Sequence, residues 1–227
     1  MSVSTVLDIV KKLVPNTSDT VPWYGKLGEG ITDEKVQALV NAGYGYAIQG
    51  GSITTPITGA GAYVSTTPDM DILVPTNKAF IPLVVNVGYE SIGTSLLLEV
   101  IVLAGLGGTF GTGGTVVTPT NMNTAFGDES GLSARSPVTT AVLMTQRLTD
   151  ISHDQETLAI TKTAGSATVA AFDRNKYVYR AKDEGVYHIL QAGNNLQARL
   201  NVWGASQGPT LFITVKGLCV PVAWVNA

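Results

Sequence analysis

Gly204-Ala205-Ser206-Gln207-Gly208 spells G-x-S-x-G, the turn that lifts a serine hydroxyl toward a histidine base at the end of a strand. That chemistry needs a helix after the serine, then an acid and a histidine further along. Pro209 to Lys216 instead reads as a strand, and both histidines, His153 and His188, come earlier. A Gly/Ser hairpin turn fits the segment better. Gly127-Asp128-Glu129-Ser130-Gly131 has the spacing of a solvated loop rather than of a serine-protease nucleophile. Gly107 to Thr115 is as rich in glycine as a phosphate cradle. It lacks the Lys-Ser/Thr ending and the helix N-terminus that such a cradle requires, so it reads as a flexible loop between strands.

Metal chemistry has few candidates. A cupin-like centre clusters His-x-His with a nearby Glu, whereas His153 and His188 are far apart in the chain. Asp69 and Asp71 point to one face of an extended strand and could share a hard cation, but two carboxylates are too few, and a solvated strand entry is the simpler expectation. Asp33-Glu34 and Asp183-Glu184 suit a helix start and a turn. Cys219, between Leu218 and Val220, is expected as a small buried hydrophobe. No catalytic residue, metal or cofactor is expected. Trp203 is predicted to face outward, where its ring could serve as a subunit contact or stack on a glycan, with Tyr177, Tyr179 and Arg180 close in sequence.

The elements that must position these residues fall into two parts. Residues 1–43 read as a helical arm. Val6, Ile9, Val10 and Leu13 follow one helix face, Ser4 can cap it and Pro15 lies beyond it. A second helix has Thr32 at its N-cap, Asp33 and Glu34 at the positive end of the dipole, an Ile31–Val36 staple and Gly43 at its close. The loop between them carries Trp23 and Tyr24. Residues 44–227 read as one β-domain. Leu83 to Tyr89, Leu196 to Trp203 and Leu211 to Lys216 alternate with period two, and Leu218 to Val225 gives a further strand. Tyr44–Gln49, Met70–Val74, Leu96–Ala104, Thr115–Asn121, Val138–Thr145, Thr157–Thr161, Ala167–Phe172 and Val186–Gln191 are further candidates. Many short strands with turn signals and no crossover helices predict an all-β antiparallel sandwich or barrel. Leu96 to Leu103 is apolar on both faces, as in a central strand or an edge covered by another subunit.

Composition narrows the function classes. The 227 residues are 44% hydrophobic and only 14% charged, which argues against disorder, and a net charge of −3 offers no basic footprint for nucleic acid. One Cys excludes an internal disulfide and a zinc knuckle. The N-terminus lacks a signal-peptide pattern, and the longest apolar run contains Glu99 and is too short to span a bilayer, so a soluble, non-secreted chain without membrane contact is expected.

Val74-Pro75-Thr76-Asn77-Lys78-Ala79-Phe80-Ile81-Pro82-Leu83-Val84-Val85-Asn86-Val87, the run Gly113 to Asn123, and the closing Phe212-Ile213-Thr214-Val215 and Val222-Ala223-Trp224-Val225 together resemble jelly-roll proteins of tailed-bacteriophage virions, in particular capsid decoration or cement proteins. The likeness covers Pro68 to the C-terminus. It implies an antiparallel β-sandwich of jelly-roll type with a short helical N-terminal segment. It further implies a non-enzymatic homotrimer on the outer capsid, bracing neighbouring major capsid protein subunits through many weak contacts. The location would be the virion, assembled in the host cytoplasm. Trp23, Tyr24, Val36 and Leu39 are then the candidate capsid-docking residues of the helical arm, the alternative being that the arm packs on its own sheet. Two other readings share the fold: a receptor- or glycan-binding head of a phage spike or tail fibre, and an enzyme using Ser206 or a cupin-like metal.

Overall fold

Alternating β-branched and polar residues from Tyr44 onward give the backbone one apolar face to bury, and it does so in sheets. A computed structural model describes residues 33–52, 54–59, 63–91, 97–157, 176–205 and 210–225. In chain order these form α1 (Asp33–Asn41), β1 (Gly45–Gly50), β2 (Ile57–Thr58), β3 (Met70–Val74), β4 (Lys78–Ser91), β5 (Leu97–Leu106), β6 (Thr109–Thr112), β7 (Thr115–Val117) and β8 (Thr120–Asn121). They continue with β9 (Ser133–Ser136), β10 (Thr140–Val142), β11 (Gln146–Thr157), β12 (Lys176–Arg180), α2 (Ala181–Glu184), β13 (Leu190–Gln191), β14 (Ala198–Ala205), β15 (Thr210–Pro221) and α3 (Val222–Val225).

The fold is an all-β antiparallel sandwich. One sheet runs β12-β4-β15-β1-β8, with β13 beside β4 and β2 beside β15; the second runs β11-β5-β14-β3-β9-β7. The long strands pair from the outside of the sequence inward: β1 with β15, β3 with β14, β4 with β12, β5 with β11. Successive members of this series alternate between the sheets, so their inner faces meet. Ile48, Phe80, Val85, Val87, Ile213 and Val215 of the first sheet pack against Ile72, Val74, Val102, Ala104, Leu200 and Val202 of the second. β5 lies between β11 and β14 and is covered on both faces, Val100, Val102 and Ala104 by the core and Ile101 and Leu103 by a second cluster with Met144 and Trp203, which accounts for its apolar residues on both sides.

Several expected strands take another form. Leu211–Lys216 and Leu218–Val225 are not two strands. β15 runs unbroken to Pro221 with a register shift between Lys216 and Gly217, and Val222–Val225 is a helical turn. A Cβ at Gly217 would lie 2.5 Å from the Ile81 carbonyl and 2.6 Å from the Phe80 ring, so glycine there lets the ring seat against the backbone. Thr115–Asn121 divides into β7 and β8 on different sheets. Val186–Gln191 contracts to β13. β9, β11 and β12 lack clean alternation and were not anticipated. Thr157 closes β11, and Ala167–Phe172 lies outside the described residues.

α1 ends where its glycine predicts, with Gly43 in the left-handed region at φ +84° and Tyr44 N–H donating to the Leu39 carbonyl at 3.0 Å. Val36, Leu39 and Val40 pack on the outer face of the first sheet, over Ala79, Ile81, Leu218 and Val220. Val36 and Leu39, expected as docking residues, are partly buried there, so this helix packs on its own sheet, the alternative to a docking arm. Trp224 closes the same cluster edge-on to Tyr44, with ring centroids 4.8 Å apart. Trp23 and Tyr24 lie outside the described residues.

Candidate functional site

β14 alternates as expected, Leu200 and Val202 inward and Arg199, Asn201 and Trp203 outward, yet its outward row is not exposed. Arg199 and Asn201 are each 1% accessible and Trp203 is 0%. The cover is a third layer. After β5 the chain must reach β7 and β9 at the far edge of the second sheet and return to β11. It crosses the outer side of β14 and β3 in both directions, and the two crossings pair as the β6–β10 ribbon.

The ribbon's backbone groups are satisfied from below. Gly111 N–H donates to Asp71 Oδ2 at 2.7 Å, and Arg199 Nη1 donates to the Val142 carbonyl at 2.6 Å. Beneath it, the Arg199 fork grips Asp71 through Nε at 3.1 Å and Nη2 at 2.5 Å, while Asn201 Nδ2 donates to the same carboxylate at 2.8 Å. Both partners are buried, so each depends on the other and on the ribbon to replace lost hydration. The ribbon also ties to the segment before β3: Val138 N–H to the Pro68 carbonyl at 3.0 Å and Ala141 N–H to the Thr66 carbonyl at 2.7 Å.

The glycine-rich run is therefore not a free loop between strands. At Gly108 (φ +70°) a Cβ would meet the Leu143 carbonyl at 2.6 Å and Arg199 Nη1 at 2.8 Å, so the crossing can lie this close only with glycine. Asp69 and Asp71 share a face as expected, but they are not a solvated strand entry, being 2% and 0% accessible. Asp69 Oδ2 accepts from Gly204 N–H at 2.7 Å. An Asp71 carboxylate already holding four N–H bonds has no lone pair directed at a cation or a substrate proton. Among the described residues no three His, Cys, Asp or Glu stand together as a metal set.

Trp203 is likewise corrected from an outward platform to a buried one. Its Nε1 donates to the Val64 carbonyl at 3.0 Å, the Tyr63 ring leans on it with centroids 5.1 Å apart, and it packs among Ile101, Leu103 and Met144. A sugar ring has no access to that face. Tyr179 is buried in the core, and Arg180 pairs on the surface with Asp183. Ser130 is buried within the loop expected to be solvated, while Asp128 and Glu129 beside it are exposed. Ser206 lies outside the described residues; its flanking strands, β14 and β15, belong to different sheets, so they do not form a hairpin. Cys219 is buried as expected, with burial pushing its thiol up to about 11.

Reading single strands missed the Asp71–Arg199 pair. The available signal was an acid and a base at outward positions of two otherwise apolar strands, which becomes a pair only once β3 and β14 are known to be neighbours. No family model matches the chain, and a search of curated proteins finds no match.

Proposed function

We propose that this chain is a non-enzymatic structural protein of a tailed-bacteriophage virion, a decoration protein that binds the outer surface of the head as a homotrimer and braces the major capsid protein. The observation that carries the reading is the winding. Eight strands paired first with last and inward from there, alternating between two sheets, follow the course of a long hairpin rolled up, which supports a jelly roll. That architecture hosts capsid proteins, lectins and cupins, so the choice among them has to come from its surfaces and interior.

The interior favours the first. Among the described residues, the space between the sheets is lined by Ile, Val, Leu, Phe, Met and Tyr side chains where a cupin would gather imidazoles. Trp203, the tryptophan on which the lectin reading rested, is covered, which removes that aromatic platform. Among the described residues, those exposed on that side include Tyr63, Val64, Val116 and Val142, set among threonines 66, 112, 115, 139 and 140, with the half-buried Arg135 as a charge among them. Interface centres are similarly poor in charge. Assembly in the host cytoplasm, as part of the particle, follows from the same reading.

The test is sedimentation of the purified chain with undecorated heads built from the major capsid protein encoded alongside it. Saturable co-sedimentation is expected, with no hit on a glycan array. Free protein at every head concentration, or glycan binding in its place, would overturn the reading.

A further inference from the structure

The β6–β10 ribbon is fastened differently from everything beneath it. None of the described core residues packed between the two sheets comes from residues 107–114 or 137–145, whereas Leu132 and Ala134, from the stretch between the two arms, are part of that core. β6 shows one buried position, Gly111, and β10 one, Ala141. Its attachment combines a few apolar side chains, Val138, Ala141 and, just past β10, Met144 beside Trp203, with polar bonds concentrated in Gly111 and Val142 on Asp71 and Arg199, and in Val138 and Ala141 on the backbone before β3. Left-handed glycines bracket β6, Gly107 and Gly108 on one side at φ +80° and +70°, Gly113 and Gly114 on the other at +71° and +62°. Such a pair at each end gives the backbone freedom to swing where other residues would resist.

We propose that the ribbon opens as its own cooperative unit, hinged at Gly107–Gly108 and Gly113–Gly114, with the Asp71–Arg199 pair as its latch. Elements with few apolar contacts and polar attachment occupy the low-stability end of a fold. Here that end can lift without unpairing either sheet, because the ribbon strands pair only with each other. The latch is bistable in a specific sense. Closed, the buried carboxylate and guanidinium are fully hydrogen-bonded; open, water replaces the Gly111 and Val142 groups, and no intermediate position satisfies both. This inference stands on the hydrogen bonds and glycines and is independent of the role proposed above, although Val142 of the exposed face rides on the ribbon.

Native-state hydrogen exchange on the full chain tests it. Across sub-denaturing urea, the amides of Gly111, Val138, Thr139 and Ala141 should exchange through an opening that hardly responds to urea, while β4 and β15 amides require the steeply urea-dependent global transition. In Arg199→Met the ribbon amides should exchange on the order of 100-fold faster, and the β4 and β15 amides by a similar factor, because the latch is broken in the open and in the unfolded state alike. If the wild-type ribbon exchanges only with global unfolding, at the same urea dependence as β4 and β15, the separate opening is overturned. If Arg199→Met accelerates the β4 and β15 amides and leaves the ribbon unaffected, the pair is still intact when the ribbon opens and the latch is overturned. Should that variant fail to fold, the wild-type urea series still decides whether the ribbon opens alone.

Discussion

Trp203→Ala is expected to lower the unfolding free energy by about 3–5 kcal/mol, the range for emptying a large aromatic site that cannot collapse. The indole is wholly inaccessible and sits among Ile101, Leu103 and Met144, with Tyr63 leaning on it. Its removal also costs the Val64 carbonyl one of its two donors, leaving the Thr67 N–H at 3.0 Å. Trp203→Phe keeps most of the packing and loses that bond, so a smaller loss of about 1–3 kcal/mol is expected. Urea midpoints with unchanged slopes measure both losses. A tryptophan serving as an exposed binding platform behaves otherwise: its substitution changes stability by no more than about 0.5 kcal/mol. An effect that small in Trp203→Ala would show the side chain to be uncovered in solution.

The second large effect is alkaline destabilisation. Burial raises the Cys219 thiol from 9.0 to about 11, and burial, aided by Glu184, Tyr177 and Tyr187, raises the Tyr179 phenol from 10.0 to about 12. Both groups are neutral when protonated, and the folded chain holds each proton to higher pH than the unfolded chain does. Their contribution is therefore complete below pH 9 and is lost as pH rises, from 9 to 11 for the thiol and from 10 to 12 for the phenol. Each loss is on the order of 2–3 kcal/mol. Urea midpoints from pH 8 upward should fall in that window, and Cys219→Ala should flatten the first part of the fall. A midpoint independent of pH to 11 would contradict the burial of both groups.

The all-β body was legible because inward positions of a strand must be apolar and outward ones need not be. Met70–Val74, Leu83–Tyr89 and the β14 row all declared themselves by that rule. Helix α1 was legible from its acidic start and Gly43. The third layer was hidden for the same reason the strands were visible. Period two separates the two faces of a strand and says nothing of what lies over the outer one. Arg199, Asn201 and Trp203 therefore read as solvated, although segments more than fifty positions earlier in the chain cover them, the ribbon over Arg199 and Asn201, and Tyr63 and Met144 over Trp203. The glycines of that ribbon read as slack, because close approach to Leu143 and Arg199 is a tertiary fact that local sequence does not encode. β11, with two Asp and two Gln among its 12 residues, forms by pairing with β5 along its length, so partnership rather than propensity makes it a strand.

The central claim, that this chain works by symmetric contact, is tested most directly by the native mass of the purified full chain in dilute solution. Sedimentation should give a species near three times 23.7 kDa that persists at nanomolar concentration. A monomer of 23.7 kDa across that range would contradict it.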